Sequence, residues 1–140
     1  MGRALKVGVM LLVSGLAAMQ ARGYEPRVNY QVHCMGCHRA DGTGEEGRVP
    51  SMRRTLVPFS AIPDGREFLL RVPGSAQAPL SDADLAALMN WMVRNLSDVP
   101  LPAGFVDYAA EEVGRARHRP LVKVTDERNR LLELTRDLAR

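Results

Sequence analysis

The sequence predicts an all-α fold, a helical domain followed by a helical C-terminal extension, and three observations predict it. Ser81 and Asp84 form a capping box that opens a run with Leu85, Leu88, Met89 and Met92 on one stripe. Thr125 opens a second segment in which Leu131, Leu134 and Leu138 are spaced for one helical face. No strand-like alternation surrounds Cys34 and Cys37, the only cysteines of the chain.

Taken in order, Met1 to Gly23 reads as a secretory leader. Arg3 and Lys6 give a positive start, Val7 to Met19 an apolar run, and Ala21 and Gly23 the small residues at a cleavage site, placed after Gly23 with Ala21 as the other candidate. The apolar run counts 13 residues, short of the roughly 20 that cross a bilayer as a helix. Pro26 suits the first turn of a helix running to Cys34. Arg39 to Ala61, rich in glycine, proline and charge, reads as loop. Asp64 starts a helix through Arg66 to Val72, which Pro73 and Gly74 stop. After the Ser81 helix, Asp98 to Gly104 with Pro100 and Pro102 is a linker. Tyr108 to Arg117 is helical and ends before Pro120, and the Thr125 helix closes the chain. The expected division is a leader over 1–23, a domain over 24–99, and a linker with helical extension over 100–140. No internal repeat is visible, so a second such domain is excluded.

The 140 residues are 46% apolar and 25% charged, the composition of a folded globular chain. The formal charge of +3 does not describe the processed protein. Removing 1–23 takes three of the 19 bases and none of the 16 acids, leaving sixteen of each. With no net positive charge and no interleaving of basic and aromatic residues, a nucleic-acid partner is excluded. Once the leader is removed, no stable membrane span is expected either.

The chemistry is concentrated in Cys34-Met35-Gly36-Cys37-His38, the C-x-x-C-H haem-attachment pattern. On a helix, residues three and four apart share a face. Two sulfurs can therefore hold a porphyrin by thioether bonds while the His38 imidazole reaches its iron from the same side. A disulfide across so short a loop leaves His38 unexplained. A zinc site lacks ligands at suitable spacing, since the only other histidines are His33 and His118. A thioredoxin-type motif requires a βαβ setting that is missing here. An exported chain, with the adjacent histidine, favours haem attachment over all three.

Further residues extend the pattern. Asp41-Gly42-Thr43-Gly44 follows the histidine as a glycine-containing turn, Pro50 stands twelve residues after His38, and Tyr30 precedes Cys34 by four. Leu88, Trp91 and Met92 form a Leu-x-x-aromatic-apolar signature on the Ser81 helix. With these marks, which cover about residues 25 to 96, the chain resembles the class I c-type cytochromes. The resemblance implies a haem domain in which Tyr30 and Trp91 pack where two helices cross, and in which the Pro50 carbonyl accepts a hydrogen bond from His38. It implies one covalently bound haem c, attached at Cys34 and Cys37, with His38 as the proximal iron ligand. Val57, Phe59, Ile62, Phe68, Leu69, Leu80, Leu85, Leu88, Trp91 and Met92 are the expected haem-lining core.

The family commonly supplies a methionine on the far side of the iron, before a proline in the loop that leads to the last helix. Here Ala78 precedes Pro79, with Gln77 beside it. The sixth ligand is therefore open among Met52, His118, Gln77, water or none. The first functional expectation is a periplasmic mono-haem electron carrier between a dehydrogenase or upstream carrier and a terminal acceptor such as an oxidase, with no acid–base catalytic residue. The alternative is a haem module that binds or senses small ligands at an open sixth position. A peroxidase-like enzyme ranks lowest, because the distal loop carries no His or Glu. Arg115, Arg117, Arg119 and Lys123 form a basic run that reads as a solvated helix face or as salt bridges to the propionate-bearing cofactor the resemblance implies, slightly ahead of a docking surface for an acidic redox partner. The three-leucine face of the extension is expected to be covered by the core.

Overall fold

The computed structural model describes residues 23–139. The leader expected over 1–23 lies outside the described residues except for Gly23. Among the described residues seven α-helices follow in order: α1 (Pro26–His33), α2 (Leu56–Ser60), α3 (Pro63–Arg71), α4 (Pro73–Ala76), α5 (Asp82–Asn95), α6 (Ala110–Arg117) and α7 (Val124–Leu134), with a 3₁₀ turn over Arg136–Ala139. Among the described residues there is no strand, only an isolated antiparallel bridge between Glu45 and Val49.

The longest helix, α5, begins as expected. The Asp84 N–H donates to Ser81 Oγ at 3.1 Å, and the Ser81 hydroxyl donates to Asp84 Oδ2 at 2.7 Å. This satisfies a donor that the helix itself leaves unpaired. Its buried face, Leu85, Leu88, Met89, Met92 and Val93, forms the middle of the main core. Helix α1 packs on it through Tyr30, whose ring lies 5.6 Å from that of Trp91 at 43°. The Tyr30 hydroxyl donates to the Arg39 carbonyl at 2.7 Å and ties down the chain just past the cysteine motif. In the next turn Gly42 adopts φ +80°, and a Cβ there would lie 3.0 Å from that of Leu96, so both backbone sign and space favour glycine.

Two stretches differ from expectation. Arg39 to Ala61 is not loop throughout, because Leu56–Ser60 forms α2 and all five of its residues are buried. Past Val72 the chain makes a further helical turn, α4, since Pro73 occupies the first turn of a new helix as readily as it ends the old one.

The extension is built into the fold. Helix α6 packs on α5 and α3, burying Val113 and Ala116, and the segment before it buries Tyr108. The Tyr108 N–H donates to Asn90 Oδ1 at 2.8 Å, while Asn90 Nδ2 donates to the Tyr108 carbonyl at 3.0 Å. Its hydroxyl and Ser60 Oγ lie 2.8 Å apart, and the Arg66 guanidinium stacks over its ring at 4.0 Å. Arg66 also holds Glu112 with two hydrogen bonds of 2.8 Å. Helix α7 packs on α3 through Leu131, which is fully buried against Phe59 and Phe68. The leucine face is covered only in part. Leu134 and Leu138 are 59% and 49% exposed, because the α-helix ends at Leu134 and the chain tightens into the 3₁₀ turn, which breaks the period.

The basic run has internal work. Arg117 donates to the carbonyls of Ala76, Ala78 and Leu80 and to Asp82. Arg119 pairs with Glu67 at 3.1 Å, and its carbonyl accepts from Arg71 at 2.6 Å. These two residues are thus engaged by protein groups, neither left as a solvated face nor reserved for a cofactor.

Candidate functional site

Helix α1 stops at His33, so the cysteine motif lies in the turns just beyond it rather than within a helix. A helical hydrogen bond survives the stop. The Cys34 N–H donates to the Tyr30 carbonyl at 2.9 Å, and the His38 N–H donates to the Cys34 carbonyl at 2.9 Å. That closure brings Cys34, Cys37 and His38 to the wall of a single cavity of about 340 Å³. Both cysteines are free thiols, Cys34 half-buried and Cys37 exposed. Burial, with the neighbouring Cys37 as a lesser cause, pushes the Cys34 thiol up to about 11. Burial also holds His38 below its ordinary value, which favours the neutral imidazole, the form that ligates metals.

His38 Nδ1 is buried and has no hydrogen-bond partner among the described residues. The expected bond to the Pro50 carbonyl is therefore not made. The Glu45–Val49 bridge and the Met52 N–H bond to the Gly42 carbonyl at 3.0 Å fix the path of this loop. Pro50 lines the cavity from an exposed position.

The remaining walls are largely apolar. Of the ten residues expected to line the cavity, Phe59, Phe68, Leu69, Leu85, Leu88 and Met92 do so. Val57, Ile62, Leu80 and Trp91 pack elsewhere in or beside the core. Sequence reasoning missed Leu56, Val72 and Met89, and also Val124 and Arg128 from α7, so the extension supplies part of the wall. The signal for α7 was available: Val124, Arg128 and Leu131 follow the i, i+4, i+7 spacing of one helix face. Among the candidates for the sixth ligand, Met52 lines the cavity, whereas Gln77 and His118 lie outside its wall. Helix α4 contributes Gly74 and Ser75 and the loop after it Ala78, none with a thioether or imidazole.

This donor set fits a covalently held haem. A flat apolar macrocycle needs apolar walls, and its attachment needs two sulfurs beside one neutral imidazole. Curated relatives point the same way. The chain is 30% identical over 141 residues to a cytochrome c-552 of Thermus thermophilus, an alignment covering 86% of this chain and 93% of the relative. The chain belongs to the c-type cytochromes. A second cytochrome c-552 from Thermus thermophilus is 30% identical over 118 residues, covering 70% of this chain and 90% of that one. Neither a family model nor a solved structure matches the chain. Membership of the c-type cytochromes makes this a haem c electron carrier that works with redox partner proteins. Among the described residues, no helix of the cytochrome is long and apolar enough to cross a membrane.

Proposed function

We propose that the protein is an exported, periplasmic mono-haem cytochrome that passes single electrons from a dehydrogenase or upstream carrier to a terminal acceptor. Cys34 and Cys37 hold the cofactor by thioether bonds, and His38 is the proximal iron ligand. The observation that carries this reading is the convergence of these three side chains on one apolar cavity. Haem supplies a one-electron couple when bound. The chain's own part is to orient it, exclude water around it and leave an edge accessible. Cys37 is exposed and Met35 beside it is 37% exposed, which supports electron exchange through the surface on that side. No residue is assigned an acid–base role.

Intact-mass spectrometry of exported protein tests the attachment. The expected mass is that of the chain processed after Gly23 plus one haem, and a bare chain refutes the reading. Cys34→Ala is expected to yield little mature haem-loaded protein, and His38→Ala to lose the proximal bond and change the absorption spectrum. Normal yield and spectrum from both variants refute the assignment.

A second reading concerns the sixth position and rests on the placement of Gln77 and His118 outside the cavity and the short side chains of Gly74, Ser75 and Ala78. Met52 ligation then competes with a position open to small ligands. A low-spin spectrum inert to carbon monoxide and cyanide supports Met52 and the carrier. Rapid binding from a high-spin resting state supports the ligand-binding module.

A further inference from the structure

The chain enters α1 along the start of α5. A Cβ on Gly23 would lie 2.1 Å from Asp84 Oδ1 and 2.6 Å from its Cγ, so the Gly23 backbone runs in contact with this carboxylate. Asp84 is half-buried, and its side chain bonds only within the capping box, to Ser81. Its neighbour Asp82 is engaged by Arg117 at 3.2 Å, but no cation among the described residues pairs with Asp84. A second group close by is also short of a partner. Asn29 of α1, 1% exposed, donates from Nδ2 to the Tyr24 carbonyl at 3.2 Å, while its Oδ1 is buried and accepts no hydrogen bond. Buried acceptors left unpaired are rare and costly. An unpaired carboxylate thus stands beside Gly23 and an unpaired amide oxygen beside Tyr24, the two residues on either side of the expected leader cleavage.

We propose that Asp84 and Asn29 form the seat of the α-amino group that leader removal creates on Tyr24. In the peptide bond the Tyr24 nitrogen is neutral and has one hydrogen to donate. Hydrolysis by a signal peptidase consumes one water, leaves a carboxylate on the leader at Gly23, and leaves on Tyr24 an ammonium with three donors and a positive charge. That ammonium pairs with Asp84 and donates to Asn29 Oδ1. A bare cation is disfavoured at a helix N-terminus, so the Asp84 carboxylate is what makes the start of α5 a place for it. The inference rests on the export reading above and adds that processing tightens the fold. Helix α1, which leads to the cysteine motif, gains a fastening to α5 beyond the Tyr30–Trp91 crossing.

After the cut the chain keeps a single lysine, Lys123. In a Lys123→Arg background, acetylation of amines therefore modifies the chain end alone, and the acetyl carbonyl takes the place that the Gly23 carbonyl holds in the structure. Processed, haem-loaded protein and its Asp84→Asn variant are each unfolded in urea near pH 6, where the amine is charged, with and without the acetyl group. Asparagine keeps an acceptor for the Ser81 hydroxyl and loses only the charge. Acetylation is expected to lower the folded-to-unfolded ratio about fivefold when Asp84 is present, and less than about twofold in Asp84→Asn. In about 1 M sodium chloride the loss with Asp84 present is expected to shrink toward none, a readout that needs no substitution at the site. Equal losses with Asp84 and with Asn, or a loss unmoved by salt, overturn the inference. So does a processed mass that places the cut after Ala21, which puts the ammonium on Arg22. A mature protein that retains 1–23 overturns the export reading and this inference together, whereas a cut after Gly23 without coupling to Asp84 overturns the inference alone.

Discussion

At the residue scale, the cavity depends on a position that carries no side chain. Gly65 is buried in α3, and a Cβ there would lie 2.3 Å from the Phe59 carbonyl oxygen and 2.7 Å from the Phe59 Cα. These are backbone atoms, so the conflict cannot be relieved by a rotamer change. Because Phe59 lines the cavity and packs edge-on against Phe68 with centroids 5.6 Å apart, separating α2 from α3 moves the wall. Gly65→Ala is expected to destabilise the protein by about 1–3 kcal/mol, the usual range for overpacking. A urea midpoint unchanged from wild type contradicts the close approach. Residues of this kind were hard to read in advance: a glycine inside a helical pattern signals a cost in propensity but not what it makes room for. That Cys34, Cys37 and His38 share one cavity wall was legible, because their close spacing in the chain keeps them together.

At the scale of elements, α5 and its crossing with α1 were legible, since a capping box, an apolar stripe and a pair of aromatics are all local signals. Helix α2 was not, because five residues containing Pro58 carry too little periodicity to stand out from a glycine- and charge-rich stretch. The role of α6 was hidden for another reason. Its basic residues read as a surface, but Arg117, with 11% of its side chain exposed, reaches the carbonyls of the loop between α4 and α5. That loop supplies Ala78 to the cavity wall, so Arg117 positions a wall it does not itself form. Arg117→Met removes this donor from both carbonyls, leaving Ala78 only the Leu80 N–H at 2.8 Å, and is expected to cost about 2–4 kcal/mol. In the haem-loaded protein it is also expected to speed the binding of exogenous imidazole, by loosening the loop. Arg117→Lys should rescue little, because a point charge cannot serve several diverging carbonyls as a fork does. Stopped-flow binding and thermal unfolding of both variants check this, and full rescue by lysine contradicts the fan geometry.

For the whole molecule, ion pairs within each part and the buried Tyr108 link between extension and domain shape how stability varies with pH. On the acid side, Asp98 is held below the usual carboxylate range first by its hydrogen bonds from Arg53, and Glu127 likewise by Arg130. Carboxylates with depressed folded values add stability that is present above their unfolded values near pH 4 and lost as the pH falls through the folded ones. On the alkaline side the sign reverses. Burial pushes Tyr108 up to about 12, opposed in part by its hydrogen bond with Ser60 and by Arg66. A phenol with a raised folded value adds stability that is whole below pH 10 and declines as the pH rises toward 12. A rise of that size corresponds to roughly 2–3 kcal/mol. The protein is therefore expected to be most stable between about pH 5 and 9 and to weaken on either side. Tyr108→Phe loses the contact with Ser60, about 1 kcal/mol at neutral pH, but has no phenol to ionise. Its stability curve should cross that of wild type between pH 10 and 12, as followed by circular dichroism in urea. Parallel curves through that window would mean that Tyr108 is ionised as easily in the folded chain as in the unfolded one, contrary to its burial between α5, α6 and the Arg66 guanidinium.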